Sequence, residues 1–383
     1  MLTYSVKPRG GVVHALEVSE ALARRGHEVE LMALARPGED LFRAPRGIAL
    51  RVVRFTPPED VAFDDRIQAM LGAYTDGLRP LLGDAGFDVI HSQDCLSANA
   101  ALALRDEGVV DHVLRTVHHV DDFVSPSLVE CQDRSIVAPD HVVCVSEPWV
   151  ARLEQEFGVR AGLVQNGVDA RRFRPARDTA ERARDRAACC LGERFAVLTV
   201  GGIEPRKGSL VLLDGFARLR AALPGHDPVL LIAGGTTLFD YRDELERFDE
   251  RARALGVTEH VRVLGPQTPA GIERLFRAAD VFAFPSVKEG FGLAALEALA
   301  AGLPVVASDI DVFRGFLAHG ESALLAPVGD GAALGAALAR LARDEHLRDA
   351  LRRGGRAVVA RYTWDASAAG HEREYERVGS LAR

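Results

Sequence analysis

The chain has 383 residues, more than one hydrophobic core usually serves, so two domains are expected. Its 48% hydrophobic and 27% charged content is that of a globular protein, and a net charge of -8 excludes a general nucleic-acid binder. The cysteines Cys95, Cys131, Cys144, Cys189 and Cys190 are odd in number and lack CxxC spacing, which excludes a disulfide frame or a zinc site and reads as reduced thiols. No signal peptide opens the chain and no apolar run reaches transmembrane length, so a cytoplasmic protein is expected, with any membrane contact peripheral and at the inner face. The arginine clusters Arg43, Arg46, Arg51 and Arg54, and Arg171, Arg172 and Arg174, read as solvated faces rather than a docking surface.

In chain order, strand-like runs alternate with helical patterns. The first half carries "LTYSV", "HEVELMAL", "IALRVVRF", "DVIHSQ", "HVLRTVHHV", "HVVCVSE" and "GLVQNGV"; the second carries "FAVLTVGG", "PVLLIAGG", "VRVLG", "VFAFPS", "PVVAS" and "SALLAPVG". Amphipathic segments at 11–25, 208–222, 240–255 and 330–344 lie between them. Continuous Val/Leu/Ile runs separated by helices indicate parallel sheets covered on both faces, hence an α/β chain of two doubly wound domains. The boundary is expected in "NGVDARRFRPARDTAERARDRAACCLGE", where the pattern dissolves into charge. The last helical stretch, "RYTWDASAAGHEREYERV", follows the second sheet and is expected to cross back onto the first domain. Ligands of such sheets bind at the carboxyl ends of strands, so two facing domains would hold a cleft between them.

Five stretches sit just after strands. In "LTVGGIEPRKGSL", Gly201-Gly202 end a buried strand, Arg206 and Lys207 follow, and Gly208 opens a helix. Glycines admit a ligand to the backbone, and adjacent Arg and Lys at a helix start suit a diphosphate. A tight turn followed by solvated charges explains the same residues, and it is not a Walker A loop. In "EGFGLAALEALAAGLPVVAS", Glu289 precedes Gly290, Phe291 and Gly292, and Glu297 is the lone acid in an otherwise apolar helix, which is expected to be buried on all sides. Vicinal hydroxyls of a ribose or hexose would satisfy both carboxylates; a backbone or arginine partner would serve Glu297 equally. Gly10-Gly11 lie at the first strand–helix junction. His118-His119 end a strand ahead of Asp121-Asp122, but neighbours on an extended chain point to opposite sides, which argues against a shared metal and for one histidine as a hydrogen-bonding or acid/base group. Ser146 reads as a helix N-cap and Asn166-Gly167 as a turn.

Taken together, "GGIEPRKG" after a strand and the E-x7-E spacing of "EGFGLAALEALAAGLPVVAS" resemble the retaining GT-B glycosyltransferases of family 4. "GGVVHALEVSEALARRGHEVEL", "TVHH", "VSE" and "NGVDARRFRP" are similar too, in the same order, so the resemblance spans nearly the whole chain. It implies an N-terminal acceptor domain at 1–170, completed by a crossover helix at 362–383, and a donor domain at 171–361. It further implies Arg206 and Lys207 on the donor diphosphate beside Gly202, Glu297 on the ribose, and Glu289 on the transferred sugar. Gly290, Phe291, Gly292 and Leu293 would offer backbone N–H groups, and Gly10 and Gly11 would line the cleft opposite. His118 matches the family's cleft histidine, with His119 as an unusual neighbour. The implied reaction is metal-independent and cofactor-free. It moves a sugar from a UDP- or GDP-sugar to a hydroxyl of a small-molecule, glycan or lipid acceptor, in a monomer or homodimer that binds no nucleic acid. A sugar-nucleotide epimerase or a phosphorylase on a similar scaffold is the alternative.

Overall fold

The computed structural model describes residues 1–83, 86–234 and 242–381. They divide into two compact units, Met1–Gly167 with Trp364–Arg383, and Val168–Thr363.

In the first unit the order is β1 (Leu2–Thr3), α1 (Gly10–Arg24), β2 (Glu30–Ala35), β3 (Ala49–Arg54), α2 (Phe63–Leu82), β4 (Ile90–Ser92), α3 (Cys95–Asp106), β5 (Val113–Val117), α4 (Pro126–Val137), β6 (His141–Cys144), α5 (Glu147–Phe157) and β7 (Gly162–Leu163). The strands form one parallel sheet in the order β3-β2-β1-β4-β5-β6-β7. Each strand of β4, β5 and most of β6 is buried along its length, which is why these runs read as continuous rather than alternating. Apolar clusters lie on the two sides, one around Tyr74, Leu78, Ala100 and Leu104, the other around Val12, Leu16, Leu31 and Ala33.

The second unit runs α6 (Thr179–Ala188), β8 (Ala196–Val200), α7 (Ser209–Ala222), β9 (Val229–Ala233), α8 (Arg242–Ala254), β10 (Val261–Gly265), α9 (Pro269–Ala278), β11 (Val281–Phe284), α10 (Leu293–Ala300), β12 (Val305–Ser308), α11 (Asp311–Arg314), β13 (Leu324–Ala326), α12 (Gly331–Arg343) and α13 (Glu345–Val359). Its sheet is again wholly parallel, in the order β10-β9-β8-β11-β12-β13. The final helix, α14 (Trp364–Leu381), belongs to the first unit, where it packs along α1 and buries Val378 against Leu114, Val143 and Val164.

Every strand-like run of the sequence is a strand. The interdomain stretch differs from expectation, because a full helix, α6, lies where periodicity had dissolved. Its inner contacts are ionic: Glu181 takes both guanidinium nitrogens of Arg174 at 2.8 Å, Asp185 takes Arg277 at 2.6 Å, and Arg182 and Arg186 reach Asp280 at 2.7 and 3.0 Å. A helix that docks through ion pairs carries no apolar stripe to read.

Candidate functional site

In both sheets the strand order reverses beside the first strand, between β1 and β4 and between β8 and β11. Such reversals splay the flanking loops apart and leave a crevice beyond the carboxyl ends of the strands. The candidate residues stand at these two places.

In the second unit, β8 runs into Gly201-Gly202 and a short helical turn at Pro205–Lys207. Gly208 then adopts a φ of +66°, and a Cβ there would stand 2.1 Å from the Pro285 carbonyl oxygen after β11. The loops after β8 and β11 are thus pressed together, and the Val287 amide donates to the Arg206 carbonyl at 2.8 Å. A left-handed backbone and a backbone clash act in the same direction, so Gly208→Ala is expected to cost at least about 2 kcal/mol. A urea midpoint indistinguishable from wild type would contradict this close approach.

This packing brings Arg206, Lys207 and Glu289 to one point. Lys207 Nζ lies 2.5 Å from Glu289 Oε1 and 4.8 Å from the Phe284 ring centroid, while Arg206 reaches Glu289 at 3.8 Å and Glu204 at 3.1 Å. Burial alone would push the Glu289 carboxyl up, but Lys207 and Arg206 outweigh it and hold the group below the usual carboxylate range. The two acids and two bases balance in formal charge.

Beyond Glu289, Gly292 caps α10 at a φ of +100°, where a Cβ would stand 2.5 Å from the Phe313 ring. The amides of the first turn, from Leu293 on, lack helical acceptors by construction and carry the positive end of the helix dipole. The Phe291 side chain is buried and stacked on Phe316 at 5.2 Å, so only its backbone is available to a ligand. The expectation that α10 is buried on all sides fails. Ala295, Leu296, Ala298 and Leu299 are buried, whereas Glu297 shares a half-buried face with Leu293, Ala294 and Ala300. The helix is alanine-rich, which hid that face from a reading based on polarity.

In the first unit, His118 follows β5 and turns towards α1, where a Cβ on Gly11 would stand 3.3 Å from its ring. Its Nε2 lies 3.0 Å from Gln93 Oε1, just after β4. His119 turns instead to Asp121, at 3.1 Å, and towards Trp149. His118, not His119, is therefore the residue placed against Gly11, while nothing stands within 4 Å of a Cβ on Gly10. Asp121 pairs with His119, and no group of three or more metal-ligating side chains occurs among the described residues. Ser146 occupies the N-cap of α5 without a side-chain cap bond.

Sequence reasoning missed what surrounds His118. His14 lies one turn along α1 from Gly11, with its ring 4.9 Å from His118 and its Nδ1 2.8 Å from Asn166. His371 of α14 sits 5.4 Å from His14 and 5.1 Å from His91, and His91 bonds Tyr375 at 2.8 Å and Thr116 at 2.7 Å. Burial lowers His14 to about 4, against the upward pull of Asn166, and burial holds His91, His118 and His371 well below 6.5. All four imidazoles are neutral near pH 7. The only sequence signal was the i, i+3 spacing of Gly11 and His14.

Two doubly wound parallel sheets, with a basic loop and a glutamate at the second reversal, define a GT-B glycosyltransferase, an enzyme that moves a sugar from a donor to an acceptor. The family models agree: residues 8–172 match "Glycosyltransferase Family 4" and residues 187–358 match "Glycosyl transferases group 1". The chain belongs to glycosyltransferase family 4. It is 33% identical to a phosphatidyl-myo-inositol mannosyltransferase of Mycobacterium leprae, over 98% of this chain and 96% of that one. It is 30% identical to a D-inositol 3-phosphate glycosyltransferase of Jonesia denitrificans, over 96% and 91%. Among solved structures, a sucrose-phosphate synthase of Thermosynechococcus elongatus superposes with a TM-score of 0.82 at 22% identity over 99% and 98% of the two chains. Anabaena HepE with UDP-glucose does so with 0.76 at 18%, again over 99% and 98%. At those identities the structural likenesses bear on fold alone. No helix among the described residues is long and apolar enough to cross a membrane.

Proposed function

We propose that the protein is a retaining, metal-independent glycosyltransferase that carries the sugar of a UDP- or GDP-sugar to an acceptor hydroxyl. The observation that carries this reading is the convergence of Lys207 and Arg206 on Glu289 at the second strand reversal. Breaking an anomeric C–O bond builds negative charge on the departing diphosphate. Fixed cations already held in place by Glu289 stabilise that charge without reorganising. In the proposal Arg206 and Lys207 take the diphosphate beside Gly202. Glu289 accepts hydrogen bonds from sugar hydroxyls, with the amides of Gly290, Phe291, Gly292 and Leu293 nearby. Glu297 accepts from the ribose. Gly10 and Gly11 admit the donor to the backbone, and neutral His118 hydrogen-bonds the transferred sugar. None of these residues is a dedicated nucleophile, so retention follows from attack on the same face as departure, with the leaving phosphate oxygen taking the acceptor proton.

Residues 235 to 241, after β9, lie outside the described residues, and the donor base rests on the family alone. The names of the relatives support an acceptor built on an inositol ring bearing a phosphate. Those names are transferase names, so the epimerase and phosphorylase readings are not favoured.

The test is incubation with UDP- and GDP-sugars and an inositol phosphate in the presence of a chelator, reading product mass and anomeric configuration. An inverted product, or activity that appears only on restoring a metal, would overturn the mechanism. The two glutamates should separate in the same assay. Glu297→Ala is expected to weaken nucleoside-diphosphate binding about tenfold, the worth of a lost hydrogen bond to a charged group. Glu289→Ala is expected to lower kcat more than it weakens that binding. Equal diphosphate affinity in both variants and wild type, measured calorimetrically, would dismiss the division.

A further inference from the structure

At the opposite end of the second sheet lies a cavity of about 530 Å3, among whose lining residues are Phe195, Arg182, Arg277, Arg348, Arg352 and Arg356. Phe195 precedes β8, Asp280 precedes β11 and Leu303 lies just before β12, so the cavity opens at the amino ends of strands whose carboxyl ends carry Gly201 and Glu289. It is therefore separate from the donor constellation, and the rule that places ligands of doubly wound sheets does not account for it.

Its charge is unusual. Arg348, Arg352 and Arg356 are spaced by four along α13 and so share one face of that helix, an arrangement in which like charges work against the helix. Of the carboxylates that line it, Asp280 and Asp178 are committed elsewhere, and Glu345 opens α13 one turn before Arg348. Asp280 receives Arg182 at 2.7 Å, Arg186 at 3.0 Å and the Ala196 amide at 2.8 Å. Asp178 caps α6 through the Glu181 amide at 2.7 Å. Arg352 is held by the Gly302 carbonyl at 3.2 Å and by Asp349 at 2.8 Å. Arg348 reaches only carbonyl oxygens of α12, and neither it nor Arg356 makes an ion pair among the described residues. Burial lowers the Arg182 guanidinium from its ordinary value, and the nearness of Arg186 and Arg352 lowers it further against the pull of Asp280. Crowded guanidinium groups of this kind match the fork geometry of phosphate oxygens. Half-buried Phe195, in a wall shared with buried Phe276 and Leu303, offers an apolar surface to the body of a ligand, and the volume is that of a small-molecule pocket.

We propose that this cavity binds a soluble, phosphorylated small molecule carrying two or more phosphate charges, at a site independent of the sugar donor. Inorganic pyrophosphate is the probe, titrated calorimetrically into the Arg206→Ala/Lys207→Ala protein, in which the donor loop has lost its cations. Binding is expected to persist there. It is expected to weaken about tenfold or more when Arg348→Ala and Arg356→Glu are added, by the loss of charge-assisted hydrogen bonds. Arg356 is exposed, so Arg356→Glu alone, with an unchanged melting temperature in the absence of ligand, serves as the control for folding. Three results would each overturn the site: no binding to the donor-loop variant, equal affinity with and without the α13 substitutions, or the same effect from sulfate at equal ionic strength. Capture by anionic phospholipid vesicles without pyrophosphate binding would overturn the soluble ligand. Loss of sugar transfer in the donor-loop variant bears only on the proposed function, so the two readings fail separately.

Discussion

Lys207→Ala is expected to lower kcat about 100- to 1,000-fold, the scale seen when one fixed donor to a developing oxyanion is removed. The reason lies in the ion-pair geometry. Lys207 is the nearer of the two cations to Glu289, at 2.5 Å against 3.8 Å for Arg206, and its stem runs along Gly201 while its ammonium sits over Phe284. A charge positioned on three sides loses little freedom when a ligand arrives, and alanine removes both the charge and the positioning. Arg206→Ala should be the milder change, since Arg206 is more exposed and shares its charge with Glu204. Glu289, without its nearer cation, should also titrate higher in Lys207→Ala. Steady-state kinetics with a nucleotide sugar, alongside circular dichroism to establish folding, checks the result. A folded Lys207→Ala protein with wild-type kcat would remove the basis for assigning the diphosphate to this loop.

The second large effect is on stability below neutral pH. An unfolded imidazole takes up a proton near 6.5, whereas native His14 resists protonation until about 4. Between those values the unfolded chain binds more protons than the native one, so stability falls as pH falls. For His14 alone this amounts to about 3 kcal/mol by pH 4, and buried His91, His118 and His371 shift in the same direction. Both tryptophans of the chain, Trp149 and Trp364, lie in the first unit, so intrinsic fluorescence reports that unit selectively. Urea titrations followed by fluorescence should give a markedly lower midpoint at pH 4.5 than at pH 7.5. An unchanged midpoint would mean that these histidines are not kept neutral by burial.

The parallel sheets were legible because their strands are buried on both faces, and runs such as "AVLTV" and "VLLIA" admit no other reading in an α/β pattern. Arg206, Lys207 and Glu289 were legible because glycines and short loops fix them next to strand ends, so that position in sequence nearly determines position in space. What escaped was held together by side chains distant in sequence. Glu181 and Asp280 turn a charged tract into a helix dock, and His14, His91 and His371 meet only because α14 returns to α1. Glu297 was recognised as exceptional for the wrong reason, since alanines at 294 and 300 disguise a half-exposed face as a buried one.

The place of α14 bears on how the chain matures on the ribosome. The second unit is one uninterrupted segment and has all its strands once Thr363 has emerged. The first unit, although begun earlier, lacks Trp364, His371, Tyr375 and Val378 until translation has passed beyond it. Until then Val143, Val164 and the His14 ring have no cover from that side, and nascent intermediates with such surface are open to misassembly. The earlier-synthesised unit is thus the later to be completed, and the segment that completes it also closes off the histidine cluster beside His118.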